Sequence, residues 1–242
     1  MEDYILTHKI ASYECSADLL LKPECFLHLC QEMAESHAST LDFGYDWAIR
    51  SGIIWVELSG EFEFIRMPRW KEEVKLRTNT GKASALQAHR FVEMSDMEGN
   101  VLARADLYWA LIDINSRRLV PLKRTSIHDT LAAISPAIIS QELPEMPDTE
   151  EKKTCAASLT TSRRDIDFNG HINNSAYLIW ALDTLPQEVT PAGTPRRLRI
   201  AFKKESHANQ SIAIAHTVNG NRTSHILTSG DETRALVDIL WG

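Results

Sequence analysis

The sequence predicts an α+β protein that uses one architecture twice: an apolar helix followed by a long antiparallel meander, each sheet curving around its own helix. Three observations predict it. A stretch punctuated by Pro121, Pro136, Pro144 and Pro147, and closed by the charged run 148–153, divides the chain. The flanks on either side repeat the same order of elements. Corresponding positions in those flanks are spaced alike to within a residue or so, the mark of a duplication.

Each copy opens on a short extended stretch. In the first, Pro23 stands where a helix N1 residue belongs, and Phe26, Leu29, Cys30, Met33, His37, Ala38 and Leu41 follow at steps of three and four. A run at 64–66 precedes β-rich segments at 72–78, 89–94 and 101–114, with Gly81 after the first and a hairpin turn at 96–100. The connection occupies 129–154 and carries a short helix at 130–134. In the second copy, Asn173 and Asn174 are N-cap candidates for a helix through Tyr177, Trp180 and Ala181 to Thr184, stopped by Pro186. That helix is apolar on nearly every side, which predicts burial all round. Runs at 202–204, 210–216, 224–228 and 233–241 repeat the first meander, with Gly220 in the place of Gly81 and a turn at 230–232. The domains are therefore drawn as 1–128 and 155–242.

Composition narrows the function classes. With 26 Lys+Arg against 33 Asp+Glu in 242 residues, the net charge of −7 argues against a whole-surface affinity for nucleic acid. At 43% hydrophobic and 24% charged, the chain is of globular type. The longest apolar run, 176–182, is far short of the ~20 residues of a membrane span. Acidic residues at the N-terminus, where a secretion signal would be basic, lead to the expectation of a cytoplasmic protein. Cys15, Cys25, Cys30 and Cys155 show no CxxC spacing and are expected to be reduced thiols. His28 and Glu32 with Cys25 and Cys30 form no ligand pattern, and no GxGxxG or P-loop follows a strand, so neither a metal nor a nucleotide cofactor is expected. His8, His89, His128, His207, His216 and His225 are scattered, and no spacing lifts them above surface or strand positions.

The richest polar cluster is Arg163-Arg164-Asp165-Ile166-Asp167-Phe168-Asn169-Gly170-His171-Ile172-Asn173-Asn174, just before the second helix. Acid, amide and imidazole at steps of two project to one side of an extended loop. The loop ends at a helix N-terminus, where N–H groups and the dipole can steady an oxyanion. Gly170 lets backbone approach a ligand closely. An ordinary capped turn, with Asp167 and Asn169 bonding local backbone, explains any one of these residues. It does not explain the set, which suits acyl chemistry.

This loop, with Tyr177 and Trp180 behind it, resembles the active-site loop of the acyl-ACP thioesterases, the plant plastid enzymes and their bacterial relatives. Trp109-Ala110-Leu111-Ile112-Asp113 through Arg117-Arg118-Leu119-Val120-Pro121 is similar to the end of that family's first hotdog domain. Phe202-Lys203-Lys204-Glu205 is similar to the strand that carries its further catalytic acid. The resemblance implies a tandem hotdog fold and hydrolysis of the thioester joining a fatty acyl chain to acyl carrier protein. It puts the catalytic set on Asp167, Asn169, His171 and Glu205: Glu205 with His171 to activate water, Asn169 to bind substrate or water, Asp167 to orient its neighbours. No cofactor is implied.

Where many plant members have Cys after the acid, this chain has Ser206, which favours direct attack by water. The first half is expected to line the acyl tunnel through Phe26, Leu29, Met33, Leu41, Trp55 and Phe64, although core packing explains most of them singly. Acyl carrier protein is acidic, so the basic residues Arg163, Arg164, Arg196, Arg197, Lys203 and Lys204 are expected to dock it. Three other readings stand beside this one: an acyl-CoA thioesterase of the same fold, a hotdog hydratase or dehydratase, and a non-enzymatic acyl-binding protein. The hydratase reading lacks the proline and spacing usual in its Asp-x-Asn-x-x-His loop. Self-association into a homodimer is left open.

Overall fold

The computed structural model describes residues 3–81, 84–125, 127, 154–185 and 193–242. The chain separates into two compact units, Met1–Gln141 and Glu142–Gly242. The helix expected at 130–134, the connection up to 153, Pro186 and His128 lie outside the described residues.

In the first unit, β1 (Tyr4–Lys9) precedes α1 (Pro23–Thr40), the short α2 (Tyr45–Ser51), then β2 (Ile53–Phe64), β3 (Glu73–Thr80), β4 (Ala88–Asp96), β5 (Val101–Asp113) and the two-residue β6 (Leu119–Val120). All pairs are antiparallel, in the order β1-β3-β4-β5-β2, with β6 on the end of β5. The second unit runs β7 (Thr154–Thr160), α3 (Asn174–Asp183), β8 (Pro195–Phe202), β9 (Ser211–Asn219), β10 (Arg222–Ser229) and β11 (Glu232–Trp241). Its order is β7-β9-β10-β11-β8, again antiparallel. Each unit thus places its strands first, third, fourth, fifth, second, the same topology twice.

α1 begins with Pro23 at N1, where its missing N–H costs no hydrogen bond. Its buried face is Phe26, Leu27, Leu29, Cys30, Met33, Ala34, His37 and Ala38. Phe26 meets Phe62 and Phe64 of β2 edge-to-face, with ring centroids 6.2 and 5.8 Å away. α3 is capped by Asn173, whose side chain accepts the Ser175 N–H. It buries Ala176, Tyr177, Leu178, Trp180 and Ala181 and lies against β10 and β11 of its own sheet. Ile179 and Leu182 are only half-buried, so burial of this helix is not complete.

The structure departs from expectation at four places. α2 occupies a stretch where the apolar spacing predicts nothing; Gly44 and the left-handed Gly52 bracket it. Thr154, drawn in the connection, is already in β7. Residues 65–66 and 203–204 are not strand: Ile65 and Arg66 both donate their N–H to Leu102 O, and Lys203 and Lys204 both donate to Arg234 O. Two successive amides on one carbonyl end the ladder and turn the chain, by the same device in both copies. Finally, the matched glycines serve different needs. Gly220 takes a left-handed backbone (φ 59°), whereas a Cβ at Gly81 would fall 1.6 Å from His89 Nδ1.

Two buried histidines make the fold acid-sensitive. His37, 3% exposed, accepts a hydrogen bond from Arg90 Nη1 at 2.8 Å through Nδ1, so the ring is neutral. Burial and then Arg90 push its pKa from 6.5 down to about 4. His225 is pushed to about 3 by burial and then by His216. Both folded values lie below the unfolded one. The unfolded chain therefore gains protons first as pH falls, and stability present above pH 6.5 is lost through pH 4 and below. The unfolding midpoint should fall between about pH 7 and about pH 4.5. His225→Gln should flatten the decline; a decline parallel to wild type would assign it to carboxylates instead.

Candidate active site

Local backbone chemistry shapes the loop before α3. Ser162 and Asp165 form a capping box over the turn Arg163–Asp165, with the Ser162 N–H and Oγ both donating to Asp165 Oδ2. Asp167 then closes the loop on itself. Its Oδ1 accepts the N–H of Asn169 at 2.9 Å and of His171 at 3.1 Å, and its Oδ2 accepts from Asn169 Nδ2 at 3.4 Å. The Asp167 N–H donates to His171 O at 2.8 Å, and Gly170 turns the chain with φ 82°. One carboxylate therefore fixes the directions in which the amide of Asn169 and the imidazole of His171 leave the loop.

The segment after β8 supplies the opposing wall. Glu205 is not on a strand, as the sequence suggests, but three residues past the end of β8. The paired amides on Arg234 O throw it clear of the ladder, and Arg234 Nη1 donates to Glu205 O at 2.7 Å. Ile172 N–H donates to Ser206 O at 3.0 Å, tying this segment to the loop. The result brings His171 Nε2 to 3.6 Å from Glu205 Oε2, both half-buried. His207 joins them, its ring 5.1 Å from that of His171.

Of the four residues carried over, His171 and Glu205 meet side chain to side chain, Asn169 stands exposed beside them on the same loop, and Asp167 acts through backbone bonds. At the helix N-terminus two of the amides are occupied by the cap. Asn173 takes the Ser175 N–H on its side chain and the Ala176 N–H on its carbonyl, so these amides are already used. Two residues go unforeseen in the sequence. His207 lies two positions after Glu205, the same spacing that singles out Asp167, Asn169 and His171. Arg234 is a buried cation on β11, a strand that also carries Glu232 and the buried Asp238.

The remaining candidates scatter. Phe26, Met33 and Phe64 are fully buried core, Leu29 nearly so, and Trp55 is half-buried with its indole N–H donating to Phe43 O. Arg163 and Arg164 are exposed on the turn before the loop, and Lys203 and Lys204 are exposed next to Glu205. Lys204 is paired with Glu232, an acid from β11 that the local sequence does not reveal. Arg196 and Arg197 are not near this mouth. They lie at the far end of β8, where Arg197 pairs with Leu240, about 17 Å from Phe202 at ordinary strand rise.

Ser206 is fully buried, and its Oγ makes no hydrogen bond of good geometry. Burial pushes the neighbouring Tyr177 phenol up, and its interaction with Ser206 works against that. A hydroxyl enclosed in this way is a poor nucleophile. Ser206→Ala should lower kcat/KM far less than the ~10²-fold typical of an acid–base group. Removing this buried hydroxyl, whose contact is with the Tyr177 phenol, should change stability by about 1 kcal/mol. An acyl-Ser206 adduct in the mass spectrum would overturn this.

Two family models match the chain: the acyl-ACP thioesterase N-terminal domain over residues 2–129 and the C-terminal domain over residues 148–242. The chloroplastic acyl-[acyl-carrier-protein] hydrolase FATB2 of Cuphea viscosissima is 27% identical over 81% of this chain and 50% of its own length. Oleoyl-acyl carrier protein thioesterase 1 of Arabidopsis thaliana is 23% identical, over 89% of this chain and 66% of its own. The chain thus spans about half to two thirds of these relatives. Among solved structures, an acyl-ACP thioesterase from Bacteroides thetaiotaomicron superposes with a TM-score of 0.88 at 23% identity, covering 99% of this chain and 98% of that one. The 12:0-ACP thioesterase from Umbellularia californica gives 0.84 at 21%, covering 99% and 94%. These likenesses establish the tandem hotdog fold.

Proposed function

The chain belongs to the acyl-ACP thioesterase family, and from that membership we propose that it hydrolyses the thioester of fatty acyl-acyl carrier protein, releasing a free fatty acid. The observation that carries the proposal is the approach of His171 Nε2 to Glu205 Oε2 at 3.6 Å, within the matched C-terminal domain. A water held between these groups gives its proton to Glu205 as its oxygen attacks the thioester carbonyl carbon. Asn169, exposed on the loop with one Nδ2 proton directed at Asp167 Oδ2, donates its other amide proton to the carbonyl oxygen as it becomes negative. The tetrahedral intermediate then collapses, the C–S bond breaks, and the proton passes to the departing sulfur. Asp167 holds both partners in place from behind.

The purified chain should be incubated with panels of acyl-ACP and acyl-CoA, following free thiol and profiling the acids released. Turnover of acyl-ACP with higher kcat/KM supports the proposal. Faster turnover of acyl-CoA would replace the carrier in this reading, and no thiol from either would end it. The first unit is assigned the acyl chain, along Phe26, Leu29, Met33, Trp55 and Phe64, so Met33→Ala should shift the profile in the same assay. An unchanged profile would return Met33 to plain core.

Carrier docking is assigned to the basic side chains on either side of the loop. Charge reversal at Arg163 and Lys203 together should raise KM for acyl-ACP several-fold and weaken its salt dependence, while small acyl thioesters are turned over as before. Reversal at Arg196 and Arg197, at the far end of β8, is the matched control. Equal losses from the two pairs would remove docking from the loop's surroundings.

A further inference from the structure

We propose that His171, Glu205 and His207 form a binding site for a divalent transition-metal ion, zinc in particular, and that the bound ion inhibits the enzyme. Each residue offers one ligand atom, and the three atoms lie within 4.8 Å of one another. Tetrahedral zinc, with bonds of about 2.0–2.2 Å, sets its ligand atoms about 3.4 Å apart. The His171 to Glu205 distance of 3.6 Å already matches. His207 needs to close by at most about 1.4 Å on that scale, which a side-chain rotation of an exposed residue supplies.

The backbone beneath these ligands is fixed by bonds that do not use them. Ile172 N–H donates to Ser206 O, His207 N–H to Gln210 Oε1, Thr161 Oγ to His207 O and Arg234 Nη1 to Glu205 O, at 2.7 to 3.0 Å. Little ordering entropy is therefore lost when an ion binds. Two imidazoles and one carboxylate form a set that suits zinc, copper and nickel and disfavours calcium and magnesium, which take oxygen ligands. Three protein ligands leave a fourth position to water. The ion would occupy the place where water must meet Glu205, and its charge would lower the basicity of the bound carboxylate. The inhibitory half rests on the hydrolase reading above; the binding half does not.

The test uses tag-free protein stripped with a chelator. Co²⁺ should give a visible ligand-field band that saturates at one ion per chain, and Zn²⁺ should displace it with measurable heat. His207→Ala should weaken binding by at least about tenfold, while His216→Ala leaves it unchanged. No cobalt band, or equal affinity in His207→Ala, overturns the site. With acyl-ACP, Zn²⁺ should inhibit at the concentrations that displace cobalt, and a chelator should restore the rate. Each variant is scored against its own metal-free rate, and His207→Ala should resist inhibition by the same factor as its binding is weakened. Saturated binding without inhibition would leave the site standing and overturn the inhibitory claim, with Glu205 as base. Activation by zinc would overturn it as well.

Discussion

Glu205→Gln lowers kcat/KM for acyl-ACP by about a hundredfold or more, the contribution expected of a positioned base, and leaves the unfolding midpoint near wild type. The amide keeps the shape of the carboxylate but cannot take a proton from water. The bond that places this segment, from Arg234 Nη1, goes to the backbone carbonyl of residue 205 and survives the change. His171→Ala is expected to cost a similar factor, since it removes the other half of the 3.6 Å pair. The double variant should lose little beyond the worse single one, because the two act on one water. Steady-state kinetics with circular dichroism on the same preparations decide the matter. A Glu205→Gln enzyme within a few-fold of wild type would take the base role away from this residue.

Asp106→Ala is the substitution expected to damage the fold most. Asp106 Oδ1 lies 2.6 Å from His89 Nε2, and the two residues are only 2% and 6% exposed, on neighbouring strands β5 and β4. The His89 ring is trapped between Tyr108, at 5.3 Å, and the backbone of Gly81, so it cannot swing out to find water. Removing the carboxylate leaves a buried ring nitrogen without its partner, a loss of about 1–3 kcal/mol. For a protein of this size that lowers the unfolding midpoint by about 5 °C. Replacing both residues with leucine should recover part of the loss, because it is the widowed partner that is costly. A midpoint within about 2 °C of wild type for Asp106→Ala would show that the pair is idle.

The elements that local pattern governs are legible in the sequence. Steps of three and four behind Pro23 give α1, alternation and turn residues give the meanders, and the run from Asp165 to Asn174 gives the loop. Features decided by other parts of the chain are not. Glu205 reads as strand because nothing near it announces that Arg234 O will take two amides at once. Arg196 and Lys204 look like one basic patch along the sequence, yet a strand's length separates them and Glu232 engages the second. Arg90 and His37 read as a strand cation and a helix-face histidine, and only their packing reveals the hydrogen bond. The periodicity of two that exposes Asp167, Asn169 and His171 also relates Glu205 to His207, so that part of the cluster was readable.

The pairing of each unit's first strand with its third has a kinetic meaning. Tyr4 must wait for Thr78 and Thr154 for His216, while strands within each meander find partners close by in the sequence. Closing a long loop costs entropy before its contacts form, so local pairings come first. β1 and β7 are then the last rungs laid down in their units, and as terminal strands of their ladders they open first. Their amide protons exchange ahead of those of β5 and β11. A strand that docks late from far along the chain is also the one most easily given to another molecule. Exchange of β1 between copies is thus the misassembly this topology invites during refolding at high concentration.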